Sequence, residues 1–547
     1  MVKHGARAGA PFPASLALAM SRLDDALSAF RDAVGPDHVV VDPAGLAPAM
    51  SATFATSARI PAIVRPASRD EVQACLRIAA RFHVPVYPVS RGRNWGFGSR
   101  VPAADGCVLL DLGRLDRIVE FDETLAYVTV EPGVSFADLY AFLSARGSKL
   151  FVNSTGASPH ASVIANALER GDGSGPYGDR WAHVAALEVV LPTGEVVHTG
   201  HDRFEGARAA PVHRWGVGPS LDGLFSQSNL GVVTRMTVWL APLPRSLSVV
   251  RFSVNDPAKL RTMIDACRVL RLDGTLRSVV GIWNDYRVLS TRRQYPWDLT
   301  HGATPLHRDL MDRMKHEWGG GVWFGSTAIY APTPAMGRAA LAHVEHALRP
   351  YVDHLSIDVR TGSPTSGQEL FGESDPAFLF LQGIPHEQSL RSVYWRKRTP
   401  IPETLDPDRD RCGVIWSAPV LPFRGRDVMD VVRMLEEVIF AHGLEPMLAM
   451  VGQTERVLYL IPLLIYDRDV PGADEEAMRC HDVIVARLSA MGYPPYRLGV
   501  QSMSALPRPR DDHGALMARL KKALDPDDVL APGRYDFRDT WPSDGDE

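Results

Sequence analysis

The chain of 547 residues is poor in cysteine and has no long apolar run. Its five cysteines are scattered and form no Cys-x-x-Cys pair, which argues against a disulfide scaffold and a structural zinc site. No apolar stretch approaches the roughly 20 residues of a membrane-spanning helix. The formal net charge of −5 argues against a nucleic-acid binder. We therefore expect a cytoplasmic protein without metal, membrane or nucleic-acid partners.

The remaining composition is that of an ordinary globular protein. Hydrophobic residues make up 45% and charged residues 22% of the chain, which is enough to bury a sizeable core. The length predicts two or three domains. The sequence leaves the oligomeric state open, with a homodimer as one arrangement.

The most informative segment is the glycine-rich run at 90–99. It follows an apolar strand pattern and precedes the strand-like residues 107–112, with no helix between them. Such a loop can turn several backbone N–H groups toward one anion. A dinucleotide-binding Gly-x-Gly-x-x-Gly needs a helix at this point, and a P-loop needs a Lys-Ser/Thr pair. The loop therefore predicts a pyrophosphate-binding site in a fold that is neither the dinucleotide-binding fold nor a P-loop fold.

The pattern of elements changes near residue 245. Before it, short strands alternate with a helix at 14–34, a helix that begins at a capping box at 68–71, and a helix at 135–146. After it, strands at 324–331, 413–421, 446–452 and 456–466 alternate with long helices at 334–348, 426–442 and 473–491. This predicts an antiparallel sheet covered by helices, in an α+β fold.

Six segments, occurring in order, carry a family resemblance: 90–99, 131–134, 166–171, 176–179, 222–234 and 531–534. Together they resemble the vanillyl-alcohol oxidase/p-cresol methylhydroxylase flavoproteins. The resemblance implies an α+β two-domain flavoprotein, with a PCMH-type FAD-binding domain from 1–245 and 500–547. A substrate or cap domain made of antiparallel sheet plus helices would span 246–499.

The resemblance also implies which residues hold FAD. The loop would bind the pyrophosphate, two segments would line the adenosine half, further residues would follow the flavin, and Arg534 would face its N1–C2=O edge. The predicted FAD residues are Ser90, Arg91, Gly92, Arg93, Asn94, Trp95, Pro132, Gly133, Thr155, Gly156, Ser162, Asn166, Glu169, Gly171, Gly231, Val232, Val233 and Arg534. Ordinary helix capping remains the alternative role for Asn166 and Glu169.

By the same resemblance, Tyr496 and Arg497 would bind a phenolate oxygen; an interdomain ion pair is the alternative for Arg497. The residues themselves suggest three groups for proton transfer. His160 is close in sequence to the presumed flavin face, and Glu455 and Tyr459 share a predicted strand at a spacing that gives them one face. A structural role remains open for all three.

The chain departs from the family's phenol-binding pattern at three positions. Phe97 stands where the family has a second phenol-binding tyrosine, Ala157 where the oxidases have an acidic residue, and Ser174 where they have another tyrosine. Phe97, Ser174 and Trp416 are the predicted substrate-binding residues. The phenolate site is therefore weakened.

The family's covalent flavin tether is also missing. The matching strand, 410–419, has neither His nor Tyr and offers only Cys412. We predict non-covalent FAD, with Cys412 as the one plausible tether and an inert buried thiol as the alternative.

Three functions remain open at this point. The first is hydride removal from an activated benzylic or allylic alcohol, amine or alkylphenol-type carbon onto FAD, followed by re-oxidation with O2 or another acceptor. The second is a tailoring oxidase acting on a non-phenolic biosynthetic intermediate. The third is a flavin-binding scaffold with little redox activity. A cytochrome partner would require export, which the weakly apolar N-terminus does not favour.

Overall fold

The structure, a computed structural model, describes residues 14–315, 320–368, 379–505 and 513–535. The ends of the predicted FAD-binding domain, 1–13 and 536–547, lie outside the described residues.

The first sheet has the strand order β1-β2-β4-β3 and carries the glycine-rich loop between β3 and β4. Its strands are β1 (Val39–Val40), β2 (Ile63–Val64), β3 (Val86–Val89) and β4 (Val108–Asp111); the helices α1 (Ala14–Val34), α2 (Pro43–Leu46) and α3 (Arg69–Phe82) belong to the same region. The pairings of β4 with β2 and β3 are parallel. The chain returns here near its end, since the Val86 amide donates to the Val529 carbonyl at 2.7 Å.

The predicted helix start at Ser68 is confirmed in part. The Ser68 side chain accepts from the Glu71 amide, and α3 buries Val72, Cys75, Leu76 and Ala79. The Glu71 carboxylate accepts from the Ala67 amide, so the reciprocal bond of a full capping box is absent from this helix start.

The second sheet is antiparallel and has the order β5-β6-β10-β8-β9. Its strands are β5 (Ile118–Asp122), β6 (Tyr127–Val130), β8 (Val184–Val190), β9 (Val196–His198) and β10 (Val232–Trp239). A small ribbon pairs β7 (Leu150–Phe151) with β11 (Ala241–Pro242). Helices α4 (Phe136–Ala145) and α5 (Val163–Leu168) pack on this region, and Ser135 opens α4 with a complete capping box.

The third sheet lies in the middle of the chain and has the order β15-β12-β14-β13-β18-β19-β16, with β17 pairing β19. Its strands are β12 (Ser246–Val254), β13 (Val280–Asn284), β14 (Trp323–Ala331), β15 (His354–Thr361), β16 (Cys412–Trp416), β17 (Val420–Pro422), β18 (Met447–Gly452) and β19 (Val457–Asp467). All of its pairings are antiparallel.

Helices cover this third sheet, which we call the cap sheet. They are α6 (Leu260–Leu272), α7 (Asp285–Arg292), α8 (Trp297–Thr300), α9 (Arg308–Lys315), α10 (Pro334–Leu348), α11 (Gly425–Ala441) and α12 (Ala473–Ala490); α13 (His513–Leu524) follows it. The apolar faces of α6, α11 and α12 bury the largest core cluster. The predicted α+β class is confirmed.

The predicted strand 413–421 is divided into β16 and β17. Pro419 lies in the break, where a residue without an N–H cannot continue a strand ladder. The strands β12, β13 and β15 and the helices α6, α7 and α9 were not predicted. The helix prediction at 334–348 matches α10.

Candidate active site

A cavity of about 780 Å³ lies between the glycine-rich loop and the cap sheet. Adjacent strands of the cap sheet present one face to it. Arg251 of β12 is opposite Ser326 of β14. Ser326 is also opposite Gly281 of β13, and Gly281 is opposite Val451 of β18. The volume is in the range of cofactor and ligand sites. We call the side formed by the loop and α5 the flavin half and the side formed by the cap sheet and α7 the cap half.

The glycine-rich loop presents unpaired backbone amides to the cavity. Among the described residues, the amides of 91–95 have no hydrogen-bond acceptor, whereas those of Gly96, Phe97 and Ser99 are paired. Gly92 makes the turn with a φ of 65°, which glycine adopts without strain. A run of unpaired N–H groups lining a cavity forms an anion-binding nest.

Acidic residues of the segment before β16 fix this loop in place. Asp406 Oδ2 accepts from Arg93 Nη1 at 3.0 Å. Asp408 accepts from Trp95 Nε1 at 3.1 Å and from Ser99 Oγ at 2.8 Å. Burial, with Asp406 nearby, raises the pKa of Asp408 to about 7. Two elements more than 300 residues apart therefore meet on one carboxyl group.

Short α5 and the residues after it form the adjoining wall. Ser162 Oγ caps α5 by accepting from the Ala165 amide and donates to the Pro132 carbonyl at 2.6 Å. Asn166 Oδ1 is buried without a partner. A Cβ at Gly171 would lie 2.6 Å from the Asn166 side chain. The absence of a side chain at Gly171 therefore leaves room for the Asn166 amide in the cavity wall.

Glu169 is the counter-ion of two buried arginines. Arg534 Nη2 donates to Oε1 at 2.6 Å, Arg497 Nη2 lies 3.6 Å from Oε2, and the Tyr535 hydroxyl donates to Oε2 at 2.9 Å. Burial acts to raise the pKa of Glu169, but the two guanidinium groups and the hydrogen bonds outweigh it, so this pKa is below its usual value. Arg534 Nη1 stays buried without a partner, free for a cofactor atom.

The pair Tyr496–Arg497 lies where the two halves meet. Arg497 Nη2 donates to Asn94 Oδ1 at 2.6 Å, and the guanidinium carbon lies 3.9 Å from the centre of the Phe97 ring. Phe97 stacks on Trp416 with 6.2 Å between ring centres. Burial, opposed by Arg497, raises the pKa of Tyr496 to about 12, so its hydroxyl stays protonated at neutral pH.

Most of the residues predicted from the sequence line this one cavity. They are Ser90, Arg91, Gly92, Arg93, Asn94, Trp95, Phe97, Thr155, Gly156, Ser162, Asn166, Glu169, Gly171, Ser174, Gly231, Val232, Val233, Trp416, Tyr496, Arg497 and Arg534.

Pro132 and Gly133 lie behind the wall instead. The Gly133 amide donates to the Leu115 carbonyl at 2.6 Å, and a Cβ on Gly133 would lie 2.5 Å from the Gly113 carbonyl oxygen. Glycine at this position therefore allows its backbone to lie close to that of Gly113 and Leu115. Neither residue lines the cavity, and the prediction that this pair lines the adenosine half stays a prediction.

None of the three proton-transfer candidates lines the cavity. His160 is exposed in a turn closed by Ser158 Oγ. Glu455 is in the exposed turn before β19, 3.7 Å from Arg456, and so does not share a strand face with Tyr459. Tyr459 stacks on Tyr496 at 4.3 Å from behind the wall, which gives it a positioning role.

Cys412 is buried in a hydrophobic cluster and does not line the cavity. Its neighbours on the same strand face, Val414 and Trp416, do line it. Burial raises the pKa of the Cys412 thiol above its usual value, so the reactive thiolate is disfavoured.

Four charged wall residues were missed in the sequence: Asp172, Arg251, Arg287 and Arg292. Asp172, beside the recognised segment 166–171, lines the flavin half; burial raises its pKa, with Arg180 opposing. Arg287 lines the cap half from α7. Asp172 could have been noticed as a carboxyl next to a recognised motif, whereas Arg287 carries no local signal.

The donors in the flavin half fit FAD. The unpaired amides of 91–95 suit a diphosphate, and the unpaired Asn166 Oδ1 and Arg534 Nη1 suit the polar edge of a flavin. A family model described as an FAD binding domain matches residues 60–200. Fold and site together define an FAD-dependent oxidoreductase.

The chain is 47% identical over 532 residues to a 1'-carboxy-chondrochloren decarboxylase of Chondromyces crocatus, covering 95% of this chain and 98% of that protein. It is 28% identical to the 4-cresol dehydrogenase [hydroxylating] flavoprotein subunit of Pseudomonas putida, covering 93% and 94%. The crystal structure of p-cresol methylhydroxylase with substrate bound matches with a TM-score of 0.87 and 26% identity, covering 95% and 98%. The chain belongs to the vanillyl-alcohol oxidase/p-cresol methylhydroxylase family.

In the described part of the chain, no helix is long and apolar enough to cross a membrane. The same residues contain no cluster of three or more metal-ligating side chains.

Proposed function

We propose that this protein oxidises a non-phenolic biosynthetic intermediate that carries a carboxylate. FAD, when bound, supplies the hydride acceptor. The observation that carries the proposal is the wall around Arg497. Phe97, which has no hydroxyl, packs against Trp416 and against the Arg497 guanidinium, so this wall presents an apolar ring where a phenol would need a donor.

The charges on the described wall support an anionic substrate. Seven arginines and two carboxylic acids line the cavity: Arg91, Arg93, Arg251, Arg287, Arg292, Arg497 and Arg534, with Glu169 and Asp172. The diphosphate of FAD and the ion pairs of Arg93 with Asp406 and of Arg251 with Asp358 offset most of this excess. The remainder gives a positive potential that attracts and orients a carboxylate.

Each polar residue at the junction of the two halves has a separate task. Tyr496 stays protonated and can donate to an oxygen of the substrate. Arg497, held by Glu169 and Asn94, supplies a fixed positive charge. Asp172, whose pKa is raised by burial, is our candidate for accepting a proton from a substrate hydroxyl or amine, since a raised carboxyl pKa suits a general base near neutral pH.

A second candidate follows from the relative that is named a decarboxylase of a carboxy-substituted compound. When the carboxylate is on the carbon next to the one that loses hydride, its C–C bond can break. The electron pair of that bond then forms a C=C bond, and the carboxyl group leaves as CO2.

The pair Tyr496–Arg497 supports a third candidate, oxidation of an alkylphenol or of a benzylic or allylic alcohol or amine. In this case the substrate's phenolate would be bound by these two residues alone. The missing hydroxyl at Phe97 predicts weak binding of simple phenols.

An anaerobic substrate screen tests these candidates. The FAD-loaded protein is mixed with 1'-carboxy-chondrochloren or with an alkylphenol, and the flavin colour and released CO2 are measured. Bleaching by the carboxylate without CO2 supports simple oxidation, and bleaching with one CO2 per flavin supports oxidative decarboxylation. Bleaching by the phenol alone overturns the proposal. Bleaching by dithionite alone indicates a flavin-binding scaffold.

A further inference from the structure

Arg287 is a buried cation without a counter-ion in the described residues. It lies on α7, lines the cap half of the cavity and is 9% exposed. Its Nη1 donates to Ser290 Oγ at 3.2 Å, and its Nε is buried without a partner. An isolated buried charge is strongly unfavourable unless an opposite charge is supplied.

The other buried arginines of the described chain show what is missing. Each of them donates to backbone carbonyls or forms an ion pair with a carboxylate: Arg180, Arg271, Arg396, Arg497 and Arg534. For Arg271, three carbonyl groups replace a counter-ion. Arg287 has only one neutral hydroxyl, so its environment is the exception.

The electrostatic setting of Arg287 agrees with its geometry. Burial alone lowers its pKa to about 10, and no described carboxylate raises it again. The side chain is still a cation at neutral pH. It therefore offers an uncompensated positive charge to whatever enters the cavity.

The position of α7 separates this charge from the flavin half. Arg287 follows β13 in the chain, whereas Trp416 is on β16, three strands away in the cap sheet. At a spacing of roughly 4.8 Å, these strands are about 14 Å apart. Arg292, five residues further along α7, is exposed and also lines the cavity. A substrate can thus reach the junction with one end while its other end contacts Arg287.

We propose that Arg287 binds a carboxylate of the substrate in the cap half of the cavity and so selects anionic over neutral substrates. This inference rests on the proposed function, because it assumes that the cavity takes a carboxylate-bearing molecule. Guanidinium groups bind carboxylates through two parallel hydrogen bonds, and Nε is one of the donors available here.

Two probes of equal shape test the proposal on the FAD-loaded protein: phenylbutanoate and its neutral analogue phenylbutanamide. Their dissociation constants are measured from the change that each causes in the flavin absorption spectrum. We expect the wild type to bind the acid about tenfold or more tightly than the amide, which is the difference in affinity that one charged hydrogen bond contributes. Arg287→Met should abolish the preference while leaving amide binding unchanged, and Arg287→Lys should retain part of it.

Arg293→Met is the matched control, since Arg293 is exposed, pairs with Asp298 and does not line the cavity. It should keep the wild-type preference. Equal binding of acid and amide by the wild type, or an undiminished preference in Arg287→Met, overturns the proposal. The thermal midpoint and FAD content of each variant show whether it is folded.

This test measures binding and involves no turnover. If Arg287→Met loses the preference but no substrate bleaches the flavin, the proposed function fails and the anion site stands. If a carboxylate substrate bleaches the flavin of Arg287→Met at wild-type affinity, the site fails and the proposed function stands.

Discussion

The two halves of the cavity are built on different principles. The flavin half uses backbone amides and a charge network in which Glu169 is the shared counter-ion of Arg497 and Arg534. In the cap half, the buried Arg287 has no carboxylate partner among the described residues. The flavin half is thus organised before any ligand arrives, while the cap half leaves its charge to be balanced by what binds. The difference supports our proposal that one half binds the cofactor and the other selects the substrate.

The largest effect is expected from Glu169→Gln, which leaves two buried guanidinium groups without their carboxylate. Removing one partner of a buried ion pair costs about 3–5 kcal/mol, and we expect a lower thermal midpoint together with loss of bound FAD. Both are measured on the purified protein. Glu345→Gln, which removes an exposed pair with Arg349, should cost below about 1 kcal/mol. Equal effects of the two variants would show that the flavin half does not depend on its charge network.

The next effect concerns Asp408, which joins the glycine-rich loop to the cap. The pKa of Asp408 is about 7 in the folded protein, whereas its ordinary value is 3.8. The folded state therefore binds this proton more tightly than the unfolded state does, so protonation of Asp408 stabilises the fold. That contribution is complete below about pH 4 and is lost as pH rises through 7. Each pKa unit corresponds to about 1.4 kcal/mol.

Unfolding of wild type and Asp408→Asn between pH 4 and 8 measures this contribution. We expect the wild type to gain stability relative to the variant as pH falls. The exposed control Asp70→Asn should follow the wild-type profile. If the stabilities of wild type and Asp408→Asn change with pH in parallel, protonation of Asp408 does not stabilise the fold.

A smaller effect is expected at the junction of the two halves. Phe97→Tyr restores a hydroxyl beside Arg497 and should tighten binding of 4-ethylphenol by roughly tenfold, the value of one added hydrogen bond. Phe97→Leu, which adds no hydroxyl, is the control. The dissociation constants come from perturbation of the flavin spectrum. If Phe97→Tyr binds the phenol no better than Phe97→Leu does, the missing hydroxyl does not explain the weakened phenol site.

The smallest effect is expected at Cys412, which is buried away from the cavity. Acid precipitation of the wild type should leave a colourless pellet and release all the FAD, and Cys412→Ser should behave identically. A yellow pellet from the wild type that turns colourless in Cys412→Ser would identify a covalent tether.

The flavin half could be predicted from the sequence because its determinants are local. The amides that form the nest belong to one run of residues, and Asn166, Glu169 and Gly171 are within six positions of each other. Its errors arose where local pattern misled. Glu455 falls in a turn because β19 begins only at Val457.

The cap half could not be predicted because its determinants meet only in the folded chain. Strands β12, β13 and β18, nearly 200 residues apart, place their side chains in one row. Arg287 looks like any helical arginine until its burial and its missing partner are known. Asp408 likewise finds its donors, Trp95 and Ser99, more than 300 positions away.

A crystal structure of the FAD-loaded protein with phenylbutanoate would test the central claim most directly. The account predicts the diphosphate on the amides of 91–95, the flavin beside Glu169 and Arg534, and the carboxylate on Arg287. A carboxylate bound to Arg497, with Arg287 left unpaired, would contradict the division of the cavity into a cofactor half and a substrate-selecting half.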